Sequence, residues 1–177
     1  MWATRKFEIC ASLPYIRTAT SHMMSPQSLD EFTMQAAYEA RASQPTYVVN
    51  FDGCSKGNPG AAGAGAVLYE NGREIQVATK YVGDRCTNNE AEWMGLLLGL
   101  ALCADRGIKR VKVLGDSQLV IRQIQGLYEV RHPVLSQYYS IAKRLLRGFD
   151  AIEFDHVPRA ANARADELSN LALQKKE

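Results

Sequence analysis

Thr46-Tyr47-Val48-Val49-Asn50-Phe51-Asp52-Gly53-Cys54-Ser55-Lys56-Gly57-Asn58-Pro59-Gly60 is the stretch on which the fold turns. Its first seven residues are mostly β-branched or aromatic, the composition of a buried strand. The Gly and Pro that follow predict a loop beginning at Gly53. A strand that ends on a carboxylate beside a glycine-rich loop places an acid at a sheet edge, where α/β proteins build their sites.

Working downstream, Gly63–Tyr69 and Glu74–Tyr81 flank Glu70-Asn71-Gly72-Arg73, and Asn-Gly between strands is a hairpin signal. Three sequential antiparallel strands therefore come first. A long helix follows from about Asn88 to Arg106, opened by the capping box Thr87-x-x-Glu90 and closed by Gly107. Ala91, Gly95 and Gly99 recur every four residues and form a smooth ridge that lets this helix lie close to a sheet. Lys109–Gly115 reads as a fourth strand, with Val111 and Val113 on one face and Lys112, Leu114 and Asp116 on the other. Ser117–Gln125 and Pro133–Gly148 read as helices, Ala151–His156 as the fifth strand and Asn162–Gln174 as the last helix, capped by Asn162. The order is β-β-β-α-β-α-α-β-α, an α/β fold with a five-stranded mixed sheet flanked by helices.

Working upstream, residues 1–45 form an N-terminal extension to a domain over 46–177. Met1–Met24 holds Arg5, Lys6 and Arg17 with several Ser and Thr against one acid, Glu8. Organelle transit peptides share that bias, and so does a plain extension. Ser28 and Glu31 make a capping box, and Leu29, Phe32, Ala36 and Ala40 share a helical face, so a short helix is predicted near 28–42.

The 177 residues carry 21 Lys and Arg against 19 Asp and Glu, a net charge of +2, with 46% hydrophobic residues. That excludes wholesale disorder and a DNA-wrapping basic protein. Cys10, Cys54, Cys86 and Cys103 form no C-x-x-C pair and no zinc spacing with His22, His132 and His156. They are expected to be free thiols in a reducing, intracellular compartment, cytoplasmic, nuclear or organellar. The longest apolar run, Trp93–Ala104, is too short to span a bilayer, so no membrane association is expected.

Four acids fall at strand ends or in early helical turns: Asp52, Glu92, Asp116 and Asp166. Singly, each has an ordinary reading as turn, cap or dipole complement. Jointly, the topology brings them to one edge, where four like charges require a cation between them. Hard divalent cations suit oxygen ligands, and Mg²⁺ is the common choice for phosphate chemistry. Two such ions roughly 3.5–4 Å apart clamp the attacking and leaving oxygens of an in-line displacement.

These residues have a recognisable arrangement. Asp52-Gly53-Cys54-Ser55-Lys56-Gly57-Asn58-Pro59-Gly60 resembles the first motif of the ribonuclease H type I family, and Thr87-Asn88-Asn89-Glu90-Ala91-Glu92 resembles its T-N-N-x-A-E motif. Asp116-Ser117-Gln118 is similar to its third motif. His156-Val157-Pro158-Arg159, Asn162 and Ala165-Asp166-Glu167-Leu168 are similar to its last. The resemblance spans Thr46 to about Leu173 in the family's element order.

The resemblance implies a ribonuclease H-like fold and a phosphodiester hydrolase. The expected reaction is Mg²⁺-dependent cleavage of the RNA strand of RNA/DNA hybrids, with Mn²⁺ able to substitute, leaving 5′-phosphate and 3′-hydroxyl ends. By the match, Asp52 bridges two ions, Glu92 and Asp116 complete one site, and Asp166 holds the ion that orients the attacking water. His156 corresponds to the family's mobile histidine, with a role in proton transfer or product release. Ser55, Gly57, Asn58, Asn88, Asn89 and Gln118 would face the minor groove, where amides suit a 2′-hydroxyl that both donates and accepts. Thr87 would lie near a phosphate pocket for the DNA strand.

Two departures bear on binding. Only Gly126–Pro133 joins the two central helices, so the basic, Trp-containing handle of many bacterial members is missing, and Glu90 replaces a residue that is often basic. Fewer phosphate contacts predict a shallow salt dependence, with Lys56, Arg85, Arg131, Arg159 and Arg164 as the remaining candidates. Residues 1–45 show no aromatic-basic cluster of a hybrid-binding domain. A monomer with no protein partner is expected. RNA/RNA duplexes are a second candidate substrate. A binding module without turnover is the competing reading, and a proofreading exonuclease is disfavoured because Asp52-Gly53-Cys54 is not D-x-E.

Overall fold

The computed structural model of the chain describes residues 33–35 and 46–175. Thr33–Gln35 are helical. The rest of the helix predicted near 28–42, and residues 1–24 with their transit-peptide-like composition, lie outside the described residues. The main elements are β1 (Tyr47–Gly57), β2 (Gly60–Glu70), β3 (Arg73–Cys86), α1 (Asn88–Asp105), β4 (Arg110–Gly115), α2 (Gln118–Ile124), α3 (Pro133–Leu146), β5 (Ala151–His156) and α4 (Ala163–Gln174). Their order is the predicted one, with a 3₁₀ turn at Arg159–Asn162 added before α4. The sheet order is β3-β2-β1-β4-β5. β1, β2 and β3 pair antiparallel, and β4 and β5 join parallel on the other side of β1.

The predicted loop after Asp52 is strand instead. β1 continues through Gly57 and pairs with β2 out to Gly57↔Gly60, so the turn itself is only Asn58-Pro59. The ladder to β2 satisfies the backbone through Gly53–Lys56, which outweighs the turn preference of single glycines. Gly53 is required for another reason: a Cβ there would stand 2.0 Å from the Ala91 carbonyl carbon of α1. Asp52 therefore lies mid-strand, not at a strand end. The other hairpin follows its sequence signal, with Asn71 and Gly72 both at positive φ between Glu70 and Arg73.

α1 covers one face of the sheet. Thr87 and Glu90 form the predicted capping box, and Gly107 (φ +67°) follows its end. The helix is buried between the sheet and the outer helices, around Val49, Phe51, Leu68, Trp93, Leu96, Leu100 and Val113. Trp93 Nε1 donates to Gln123 Oε1 at 2.9 Å, and the Trp93 ring meets Tyr139 edge-on at 6.1 Å, which ties α1 to α2 and α3. Ile141 is exposed on α3.

α4 covers the opposite face, over β1, β2 and β3. The small residues of β2 divide between the two layers: Ala62, Ala64 and Ala66 are fully buried, while Cβ atoms on Gly63 and Gly65 would strike the α4 main chain at 2.3 and 2.6 Å. Asn162 does not cap α4 with its side chain, contrary to the sequence reading; it is 1% exposed and turned into the sheet. Cys54, Cys86 and Cys103 are free thiols. Among the described residues no helix is long and apolar enough to cross a membrane.

Candidate metal centre and nucleic-acid interface

The parallel pairing of β1 with β4 ends at Phe51↔Gly115. The next residues along the chain are Asp52, still within β1, and Asp116, just past the end of β4, so two carboxylates stand side by side where the chain leaves the sheet. The close approach of α1 at Gly53 and Gly95 brings Glu92 onto the same spot. Asp52, Glu92 and Asp116 each place a carboxylate oxygen within 4.8 Å of the others.

Asp52 and Glu92 are only 4% and 7% exposed. Burial pushes the Glu92 carboxyl up to about 9, reinforced by the charges of Asp52 and Asp116. Asp52 is pushed up to about 6, again first by burial, against a lowering hydrogen bond from Ser169. Glu92 Oε2 is buried with no hydrogen-bond partner. A buried carboxylate oxygen left unpaired is rare, and its natural complement among three converging carboxylates is a hard cation. The donor set is all oxygen, which fits a divalent ion of the Mg²⁺ or Mn²⁺ kind.

Asp166 is not gathered into this cluster. Arg159 pairs with its Oδ1, and Asn170 Nδ2 donates to its Oδ2 at 3.1 Å. It is near enough that its charge acts on Asp52. His156, at the end of β5, places Nε2 3.2 Å from the Asp116 carbonyl oxygen and is exposed at the rim.

Asn162 was legible as part of a motif but not in its role. Its Nδ2 donates to the Phe51 carbonyl and to Asp116 Oδ1, both at 2.8 Å, and its Oδ1 accepts from Asn50 Nδ2 at 3.1 Å. It thus locks the Asp116 carboxylate to β1. Ser169 and Asn170 were missed altogether; the available signal was their spacing of three and four residues after Asp166, which places them on the same helical face.

The reverse transcriptase-like family model matches residues 50–172. The chain belongs to the ribonuclease H-like family. Ribonuclease HI of Halobacterium salinarum is 43% identical over 123 residues, covering 70% of this chain and 62% of that protein. The chain therefore spans less than two thirds of that relative. Among solved structures, the N-terminal RNase H domain of Rv2228c from Mycobacterium tuberculosis, fused to maltose binding protein, has a TM-score of 0.70 at 39% identity, over 74% of this chain and 95% of that one. LC11-RNase H1 in complex with an RNA/DNA hybrid has a TM-score of 0.68 at 36% identity, over 73% and 98%.

Within this ribonuclease H-like domain, the residues expected to meet nucleic acid divide into two kinds. Ser55 is turned inward, its Oγ against the carbonyls of Gly57 and Cys86. Asn58 Oδ1 accepts from the Asn88 backbone N–H at 3.1 Å, which pins the Asn58-Pro59 turn to the start of α1. Asn58, Asn88, Asn89 and Gln118 are exposed. Asn58, Thr87 and Asn89 line a groove of about 180 Å³ with His132 and Leu135. Of the basic candidates, Arg131 pairs with Glu129, Arg159 with Asp166, and Arg164 with Glu74 and Glu167. Lys56 and Arg85 are exposed.

Proposed function

We propose that this domain hydrolyses the RNA strand of RNA/DNA hybrids with Mg²⁺, or Mn²⁺ in its place, by a two-metal mechanism that leaves 5′-phosphate and 3′-hydroxyl ends. The observation that carries the reading is the Asp52–Glu92–Asp116 cluster, with Asp52 and Glu92 buried, Asp116 half-buried and Glu92 Oε2 unpaired. The relative named ribonuclease HI, and the similar LC11 enzyme solved on a hybrid, support the substrate class.

Asp52, Glu92 and Asp116 would hold one ion, and Asp52 with Asp166 the other. Bound divalent ions supply charge stabilisation to the attacking and leaving oxygens and acidify a bound water. To serve as a ligand, Asp166 exchanges its Arg159 partner, whose side chain is 77% exposed and able to move. With His156 Nε2–H on the Asp116 carbonyl, Nδ1 is the nitrogen left to take or give a proton at the rim. Asn162 keeps Asp116 in register with Asp52 throughout.

Hybrid binding is assigned to the exposed amides of Asn58, Asn88, Asn89 and Gln118 on the minor-groove side. The Thr87 groove would take a DNA-strand phosphate. Amides that both donate and accept suit 2′-hydroxyls, which mark the RNA strand.

The test is cleavage by the full chain of end-labelled RNA in a hybrid, alongside RNA/RNA and single-stranded RNA. Mg²⁺-dependent cutting of the hybrid's RNA strand is expected, and Asp52→Asn should abolish it while thermal unfolding stays cooperative. Cutting that survives both Asp52→Asn and chelator rules the reading out.

A further inference from the structure

We infer that Ser169 and Asn170 of α4 are positioning residues for the metal-holding carboxylates, Ser169 for Asp52 and Asn170 for Asp166. The inference rests on the ribonuclease reading above and deepens it: α4 supplies a hydrogen-bonded backing to the metal centre as well as one ligand.

Ser169 is fully buried. Its Oγ donates to Asp52 Oδ2 and also lies 2.9 Å from the Asp166 carbonyl oxygen. A hydroxyl has one proton to give, so only one acceptor can be served at a time. The Asp166 carbonyl has a second donor: Asn170 Nδ2 reaches it at 2.8 Å. The other Asn170 amide hydrogen is directed to Asp166 Oδ2, at 3.1 Å. Asn170 thereby frees the Ser169 proton for the Asp52 carboxylate, the stronger acceptor because it is charged.

The amide orientation of Asn170 is itself set, because its Oδ1 faces the Cys54 thiol at 3.8 Å, on the same face of β1 as Asp52. The donors account for one another: thiol to amide oxygen, amide hydrogens to Asp166, hydroxyl to Asp52. Ordering the acceptors in this way fixes which carboxylate oxygens remain turned toward the cluster.

The packing shows that this reach is built in. Cβ atoms on Gly63 and Gly65 of β2 would stand 2.3 Å from the Ser169 carbonyl oxygen and 2.6 Å from its nitrogen. Only glycines let α4 sit low enough for a side chain as short as serine to touch Asp52. An alanine at 169 would keep the packing and lose the donor. Partners that orient metal ligands in this manner typically contribute about 10- to 100-fold in metal affinity.

The deciding experiment is titration calorimetry of the full chain with Mn²⁺ alone, on unmodified protein, Ser169→Ala and Asn170→Ala, with thermal unfolding of each metal-free protein beside it. Asn170 is exposed, so its replacement carries little folding risk. About tenfold weaker Mn²⁺ binding is expected for Ser169→Ala and a smaller, severalfold loss for Asn170→Ala. The Mg²⁺ concentration for half-maximal cleavage should rise in parallel, with the rate at saturating Mg²⁺ recovering. Damage of a merely structural kind would instead lower the rate at every Mg²⁺ concentration. Unchanged Mn²⁺ affinity in both variants, where the unmodified chain binds Mn²⁺ and cuts hybrid, overturns this inference alone. No Mn²⁺ binding and no cutting by the unmodified chain overturns the ribonuclease reading and this inference with it.

Discussion

Gly95 of α1 rests on the main chain of Asp52: a Cβ there would stand 2.4 Å from the Asp52 carbonyl oxygen. Gly53 makes the reciprocal approach to Ala91 of α1. Helix and strand meet backbone to backbone, and this is what carries Glu92, one residue on from Ala91, into reach of Asp52.

Gly95→Ala should therefore displace α1 and open the carboxylate cluster. The obstructing atoms are backbone and cannot turn away, so a loss of about 2 kcal/mol is expected, in the range for overpacking a filled core. Cleavage should fall with it. Gly99→Ala is the internal comparison, because its nearest obstacle is Val49 Cγ1 at 2.6 Å, a side chain with some freedom to adjust. Urea unfolding of the two variants should rank Gly95→Ala as the more damaging; the reverse order would mean that the backbone contact does not govern the approach.

Much of this was legible in the sequence, and the ridge Ala91-Gly95-Gly99 is the clearest example. Periodicity placed those residues on one helical face, and the structure lays that face on β1. The Asn71-Gly72 hairpin and the Thr87–Glu90 capping box were readable because each is a local rule, satisfied within four residues. Gly53 and Asn162 were misread for the opposite reason. Their ordinary local uses, turn and cap, are overridden by partners far along the chain: Ala91 for Gly53, and Phe51 and Asp116 for Asn162. Asp166 sits apart from the other three acids because Arg159 and Asn170 hold it, a side-chain arrangement that strand and helix order do not encode.

Asn162 supports a second prediction. Replacing it by Ala leaves Asn50 Nδ2, the Phe51 carbonyl and Asp116 Oδ1 without that partner. Stranding buried polar groups costs about 1–3 kcal/mol each, reduced where water can enter. A net loss of about 3 kcal/mol is expected for Asn162→Ala in denaturant unfolding, together with weaker Mn²⁺ binding because Asp116 is released from β1. Stability within experimental error of the unmodified chain would show that these bonds are exchanged for water without loss.

The metal-free protein should lose stability as pH rises. The folded-state values of Asp52, about 6, and Glu92, about 9, both lie above the ordinary carboxyl range. In the unfolded chain both groups lose their protons near pH 4–4.5. Between that pH and about 9 the folded state binds more protons than the unfolded state, so stability falls with increasing pH. Thermal unfolding in chelator from pH 5 to pH 9 should show a declining midpoint. Added Mg²⁺ favours the ionised carboxylates and should flatten that decline. A midpoint in chelator that rises across the same interval would contradict the burial and mutual repulsion read from the cluster.

The same electrostatics predict opposite effects of one substitution on stability and on function. Glu92→Gln keeps the side-chain shape but removes the charge that burial, Asp52 and Asp116 all oppose. At pH 8 the metal-free variant should unfold at a higher temperature than the unmodified chain, because no carboxyl there needs to be held protonated against solvent. The gain is limited by the amide, which brings its own hydrogen-bonding groups into a spot where Oε2 has no partner. Divalent-ion binding should weaken sharply, since a neutral amide oxygen replaces an anionic ligand. Cleavage of hybrid should fall by orders of magnitude. Calorimetry with Mn²⁺ and thermal unfolding in chelator, run on the same preparation, read both effects. A variant less stable than the unmodified chain at pH 8 yet equally able to bind Mn²⁺ would mean that Glu92 is a packing residue, and that its place beside Asp52 and Asp116 has no part in holding a cation.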